Sequence, residues 1–343
     1  MKNVDRHREL ENCTFVKTML MLIVVAYHSI LCWSGNWFLA ISVRRSEILA
    51  GIANWLNSFH IYGFALVSGY LFYYLRYEKG KYGRYLPFLA QKAKRLLVPY
   101  VFVAAVWVIP FSALFFPGQL TSNIYIYILG ISPAQLWFLL MLFGVFLLFY
   151  PLADFVKERQ LLGAAVVLGF YGIGLLAPIP NVFQILRACM YMPVFWLGFK
   201  LRQWGSSWAR QIPVWVWLLA HILLFAVSRY ISSYETIIFK LFQWGMEFLL
   251  HMVGALMAFV VLQQIADKVN WQNSKVFAVI SKMSMPVYLF HQQVIYVFLY
   301  CLNGLLNPYI HGVVNFVGAM AVSLALSALL SKFSVTRFLI GEK

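Results

Sequence analysis

The chain has 343 residues, of which 62% are apolar and only 11% charged, whereas soluble globular chains average about 45–50% and about 25%. This excludes an ordinary soluble domain; with about twenty apolar residues needed per crossing, the length accommodates about ten transmembrane helices and short connections. A net charge of +16 in a soluble chain would suggest a nucleic-acid binder, but the placement of the charges argues for topology instead, and no nucleic acid is expected as a partner.

Taken in chain order, the apolar runs are Phe15–Trp33, Ile48–Tyr74, Leu96–Phe116, Leu136–Leu152 and Leu161–Ala177, then Val182–Phe199, Val214–Val227, Phe248–Ile265, Val287–Leu302 and Val313–Leu330. Their apolarity is continuous rather than alternating, which predicts helices and not barrel strands. The expected fold is therefore an all-α, polytopic membrane protein with about ten transmembrane helices and both termini cytoplasmic. One transmembrane domain spans residues 1–343, with a cytoplasmic N-terminal tail over about 1–14 and a basic cytoplasmic loop over about 76–95. No small-residue cleavage site follows the first apolar run, so it reads as a retained span. Tyr and Trp near the ends of the runs suit interfacial belts.

The orientation follows from Lys and Arg. With the N-terminus inside, the inner segments hold 22 of them and the outer loops 4 (Arg44, Arg45, Arg229 and Lys240), while Arg187 lies within a span. Such alternation is the positive-inside signature. Most of these cations then need no partner beyond water and anionic membrane lipids. The stretch from Arg76 to Arg95, with seven basic residues and one acid, Glu78, reads either as the same signal or as a cytoplasmic site for a phosphate-rich ligand. Cys13, Cys32, Cys189 and Cys301 show no metal-like spacing and are expected as unpaired, apolar-packed thiols.

Ionisable residues inside spans are costly and point to function. His28 lies eleven residues after Lys17, roughly 16 Å along a helix, and His291 lies nine after Lys282, roughly 13 Å. His60 enters from the opposite side to a similar depth. Glu247 and His251 share a helix face at i, i+4, as a structural pair or as a carboxylate orienting a base. His221 reads as a packing residue. No two histidines have a short ligand spacing, so no metal is expected. A histidine in the membrane interior suits general-base chemistry, because desolvation favours the neutral imidazole. No nucleophile-elbow, phosphate-loop or dinucleotide fingerprint accompanies it.

Five elements resemble the acyltransferase 3 family of bacterial integral-membrane O-acyltransferases. The first is Lys17 followed by ten residues and His28; the second is Phe59-His60 through Ser68-Gly69-Tyr70-Leu71-Phe72. The others are Lys92-Ala93-Lys94-Arg95 ahead of Pro99-Tyr100, Trp137-Phe138-Leu139, and Ser284 through Tyr288 to His291. The resemblance implies transfer of an acyl group, with acetyl expected, from cytoplasmic acyl-CoA to a hydroxyl of a cell-surface glycan or lipid-linked sugar, at the bacterial cytoplasmic (inner) membrane. It implies catalysis by His28 and His60, donor binding by Lys17, Lys92, Lys94 and Arg95, and a pocket shaped by Ser68, Trp137 and His291, to which Glu247 and His251 are added from their depth. The family more often has Arg where Lys17, Lys92 and Lys94 stand, and Lys binds phosphate without the bidentate fork. Some relatives carry an extra extracytoplasmic domain, for which no segment follows the last span. The main rival reading is a transporter or flippase for a polar or glycan-linked substrate; a third is a non-catalytic membrane subunit.

Overall fold

The computed structural model describes residues 2–35, 37, 41–115, 118, 120–131, 133–232 and 236–342. In chain order the helices are α1 (Lys2–Ile30), α2 (Glu47–Asn57), α3 (His60–Tyr73), α4 (Tyr85–Val103), α5 (Ile109–Phe115), α6 (Leu120–Leu129), α7 (Trp137–Glu158) and α8 (Gln160–Leu176). They continue as α9 (Ile185–Trp204), α10 (Ser207–Arg210), α11 (Val214–Ile231), α12 (Ile237–Lys268), α13 (Lys275–Lys282), α14 (Ser284–Leu302), α15 (Pro308–Leu330) and α16 (Ser334–Leu339). Among the described residues there is no strand. Among the described residues eight helical segments are long and apolar enough to cross a membrane, and α8 is a shorter apolar helix. Self-contained hydrogen bonding is what lets such apolar runs exist in hydrocarbon.

Several boundaries differ from expectation. Residues expected as an N-terminal tail are the first turns of α1, and Glu9, Asn12 and Cys13 on them are buried. The expected basic loop is helical from Tyr85, so Lys92, Lys94 and Arg95 stand on α4. Phe116, the expected end of the third span, and Lys343, counted among the inner cations, lie outside the described residues. The second span, expected to be continuous, is two helices broken at Ser58-Phe59. A break in an apolar segment frees backbone carbonyls, and neighbouring side chains must take them up. Ser58 Oγ donates to the carbonyl of Trp55 at 2.6 Å, and His60 Nδ1 to that of Leu56 at 2.6 Å.

The chain divides into two compact units, residues 1–78 with 194–281, and residues 79–193 with 282–343. In the first, α1, α3, α11, α12 and the second half of α9 enclose a core of Leu20, Val24, Ala65, Leu66, Tyr70, Phe195 and Phe259. Here α3 and α9 meet at two glycines. A Cβ on Gly69 would collide with the carbonyl oxygen of Phe195, and one on Gly198 with that of Leu66. Small residues that let backbones approach are the usual device of membrane helix packing.

One end of this unit is closed by buried charge. Arg202 donates from Nε and Nη2 to the two carboxylate oxygens of Glu78 at 2.7 and 2.6 Å, and from Nη1 to Tyr70 Oη at 3.0 Å and the Arg6 carbonyl at 3.1 Å. Tyr70 Oη donates to Glu9 at 2.7 Å. Glu9 also accepts from Ser206 and from Arg210, whose other prong meets Asp267. Arg8 and Asn12 complete Asp267 at 2.9 and 2.8 Å. Most of the basic residues were expected to need only water and lipid; Arg8, Arg202 and Arg210 are exceptions, held by carboxylates. The chain's 11 carboxylates are few, and a partly buried guanidinium recruits them.

In the second unit α4 packs on α7 and α14 on α15. The face that α15 buries is polar and small, with His311, Asn315, Ala319, Ser323 and Ser327, while Val313, Val317 and Leu329 point outward. Lipid on the outside reverses the soluble pattern. All four cysteines are free thiols, three of them buried.

The α3–α9 contact predicts that Gly69→Ala lowers stability by about 1–3 kcal/mol. Gly172→Ala, where a Cβ meets nothing within 4 Å, leaves it nearly unchanged. Thermal unfolding of both variants in the same detergent compares them.

Candidate functional site

The end of α1 and the break between α2 and α3 bring two histidines around one aromatic ring. His28 stands in the last turn of α1 and His60 is the first residue of α3. The Tyr27 ring centre is 4.9 Å from that of His28 and 4.7 Å from that of His60. Trp37 lies 6.3 Å from His28. His60 is buried, whereas Tyr27 and His28 are half-buried, so the cluster has a closed side and an accessible one.

The hydrogen bonds fix the chemistry of both imidazoles. His28 Nδ1 meets the carbonyl of Val24 at 2.9 Å, one turn back, as His60 Nδ1 meets that of Leu56. A carbonyl can only accept, so each Nδ1 carries the proton, and in the neutral ring Nε2 holds the lone pair. His291, in the other unit, follows the same pattern, with Nδ1 2.8 Å from the Tyr288 carbonyl. The break at Ser58-Phe59 therefore does two things at once. It exposes the Leu56 carbonyl that sets the His60 tautomer, and His60 relieves the cost of exposing it.

The remaining expected site residues take varied places. Glu247 and His251 are not joined: Glu247 accepts from Gln243 at 2.9 Å, and His251 stacks on Tyr62 with ring centres 3.9 Å apart at 13°. His221 is a buried packing residue between Phe59 and α12, where Gly254 leaves room for its ring, and its Nε2 is 3.4 Å from Ser58 Oγ. Ser68 Oγ donates back to the Phe64 carbonyl at 2.8 Å, and Lys17 is half-buried on α1.

In the unit of residues 79–193 and 282–343, Lys92 is held in an aromatic box. Its Nζ lies 4.1 Å from the Phe146 ring centre, 4.9 Å from Tyr82 and 5.3 Å from Phe88, and donates to Tyr82 Oη at 3.2 Å. Burial pushes the Tyr82 phenol upward against the opposing charge of Arg95, so it stays neutral and accepts the hydrogen bond from Lys92. Lys94 and Arg95 beside it are exposed. Trp137 begins α7 with the Arg187 guanidinium 4.5 Å over its ring. Gln135, buried, donates to the carbonyl of Leu289 at 2.8 Å and to Gln293 at 2.7 Å, and the Tyr288 hydroxyl donates to the Gln135 carbonyl. This amide knot anchors the helix that carries His291.

Sequence reasoning passed over Tyr27, Gln135, Gln293 and Arg187 as site elements. The signal for the glutamines was available, since Gln292-Gln293 interrupt an apolar run and a polar pair there needs partners. Among the described residues no group of three or more His, Cys, Asp or Glu side chains converges as metal ligands do.

The tautomer assignment has a direct check. In protein labelled with ¹⁵N-histidine, the resonances lost on His28→Gln and on His60→Gln should be those of Nδ1–H imidazoles. Nε2–H signals at either position contradict the arrangement.

An acyltransferase domain model matches residues 12–332. No curated protein and no solved structure shows significant similarity to the chain. With that match over nearly the whole length and its apolar helices, the chain belongs to the acyltransferase 3 family and is a multi-pass membrane acyltransferase.

Proposed function

We propose that this protein moves an acyl group, acetyl in the simplest case, from cytoplasmic acyl-CoA to a hydroxyl of a cell-surface glycan or lipid-linked sugar across the bacterial inner membrane. The observation that carries this reading is the His28–Tyr27–His60 cluster, in which two imidazoles are each tied through Nδ1 to a backbone carbonyl. A base that must take a proton from a hydroxyl needs its lone pair on a fixed nitrogen.

In the reaction, His28 Nε2 accepts the proton of the acceptor hydroxyl as the oxygen attacks the thioester carbonyl. The carbon–sulfur bond then breaks, the new ester leaves, and the imidazolium returns the proton to the departing CoA thiolate. His60, across the Tyr27 ring, holds a second proton-accepting nitrogen. Lys17, Lys92, Lys94 and Arg95 bind the donor's phosphates. The aromatic box supports this role for Lys92, since three rings and the Tyr82 hydroxyl hold the side chain in place. Glu78, the one acid between Arg76 and Arg95, is engaged by Arg202. The resemblance assigns Ser68, Trp137 and His291 to the pocket, and Glu247 and His251 are added to it from their depth in the sequence. About ten crossings with both ends inside put the basic stretch on the side where CoA thioesters occur.

Membranes incubated with [¹⁴C]acetyl-CoA test the whole reading: label should enter a glycan or lipid-linked fraction of the envelope and disappear in His28→Ala. With purified protein, Lys94→Ala and Arg95→Ala should raise KM for acetyl-CoA several-fold with little change in kcat, as expected when a binding interaction common to ground and transition states is lost. Movement of an unmodified sugar across the membrane without any CoA dependence would support transport instead, a use for which the broken α2–α3 pair is also suited.

A further inference from the structure

In the unit of residues 79–193 and 282–343, the starts of α7 and α9 carry a feature that the transfer step leaves unused. Gln184, fully buried, donates from Nε2 to the carbonyls of Gly130 and Ile131 at 2.6 and 2.5 Å. Asn181 accepts from the backbone N–H groups of Leu186 and Arg187 at 3.0 and 3.3 Å, and donates to Gln184 Oε1 at 3.1 Å. Three non-glycine residues at these starts, Ala134, Phe183 and Gln184, have φ of 44°, 50° and 57°. Left-handed conformations of such residues cost about 1–3 kcal/mol each and persist where the surroundings enforce them, often at sites.

This strained frame carries Arg187. Its guanidinium lies over Trp137, the side chain is half-buried, and among the described residues no carboxylate pairs with it. The inward bias of basic residues offers no reason for a cation here. Arg187 is at the opposite end of α9 from Lys200 and Arg202, and Trp137 is at the opposite end of α7 from Lys157. An unneutralised guanidinium within a span is costly and marks a place where an anion is received. Contact with the indole face restricts the guanidinium, whose planar fork can make two parallel bonds to a carboxylate or phosphate.

We propose that Arg187, braced on Trp137, is an acceptor-side subsite that receives a carboxylate or phosphate carried by the acceptor, so that the acylated hydroxyl belongs to an anionic sugar. This rests on the transfer reading above and narrows its acceptor class. An anionic lipid headgroup offers the same phosphate chemistry. A fixed, flat fork suits a small anion presented in one orientation better than a mobile headgroup, for which a point charge suffices.

The test uses the full-length protein in phosphatidylcholine nanodiscs, titrated calorimetrically with methyl glucuronide and with methyl glucoside. Wild type should bind the glucuronide at least about tenfold more tightly than the glucoside, the scale of one charge-assisted pair. Arg187→Gln should lose that preference and Arg187→Lys keep part of it, while both bind acetyl-CoA like wild type. Absent or equal binding of the two glycosides by wild type overturns the proposal, as does an undiminished preference in Arg187→Gln. Discs containing phosphatidylglycerol separate the two sources of anion. Unchanged glucuronide affinity supports the sugar subsite. Loss of that affinity, with phosphatidylglycerol retained by wild type but not by Arg187→Gln in native mass spectrometry, makes it a lipid site and overturns the proposal. Failure of wild type to bind acetyl-CoA overturns the transfer reading alone, and the glycoside comparison still stands.

Discussion

The guanidinium of Arg202 is the interaction on which the unit bearing His28 and His60 depends. Four hydrogen bonds from it reach Glu78, Tyr70 and the Arg6 carbonyl, and through Tyr70 the network extends to Glu9, Arg210 and Asp267. That one cluster ties the first turns of α1, the end of α3, the end of α9, α10 and the end of α12. Burying so much charge is not in itself strongly stabilising, but removing one partner leaves an uncompensated ion, typically at about 3–5 kcal/mol. From this fixed end α1 and α3 rise to the histidines, Glu9 to His28 along roughly 28 Å and Tyr70 back to His60 along roughly 15 Å of helix. Two long levers pinned at one end and crossed tightly with α9 at Gly69 can hold small side chains in register at the other.

The second constraint is that every backbone carbonyl within the apolar layer must find a donor. The α2–α3 break answers it with residues that also serve the site. Ser58 takes the Trp55 carbonyl and lies against His221, while His60 takes the Leu56 carbonyl and thereby acquires its tautomer. His28 and His291 obtain theirs from intact helix, by bonding back one turn. A membrane helix thus supplies an orienting acceptor for a base without an acidic partner, which would be expensive to keep ionised there.

The spans were legible because apolar runs of this length have few alternative uses, and eight of the observed helical segments meet the length and apolarity expected of a crossing. His28 and His60 were marked as candidates by the spacing of Lys17 to His28 and by the Phe59-His60 element, and both rings flank Tyr27. What could not be read were relationships between distant residues. Ser206 meets Glu9 from 197 positions away and Arg202 meets Glu78 from 124, and nothing local distinguishes those cations from ones that face lipid headgroups. The break at Ser58-Phe59 was hidden because neither residue is a helix breaker and apolar residues continue on both sides of it. Tyr27 was visible as a neighbour of His28, but its place against His60 required the crossing of α1 and α3. Arg187 was counted as an exception to the charge pattern, and its place over Trp137 with no carboxylate paired to it among the described residues gives that exception a meaning.

The central claim is that His28 is the base in acyl transfer and the donor binds elsewhere. Single-turnover kinetics of purified wild type and His28→Gln in nanodiscs, with acetyl-CoA affinity measured on the same preparations, address it most directly. The account predicts a transfer rate lowered at least about a hundredfold, the scale of general-base catalysis, at unchanged acetyl-CoA affinity. A wild-type rate in His28→Gln contradicts it.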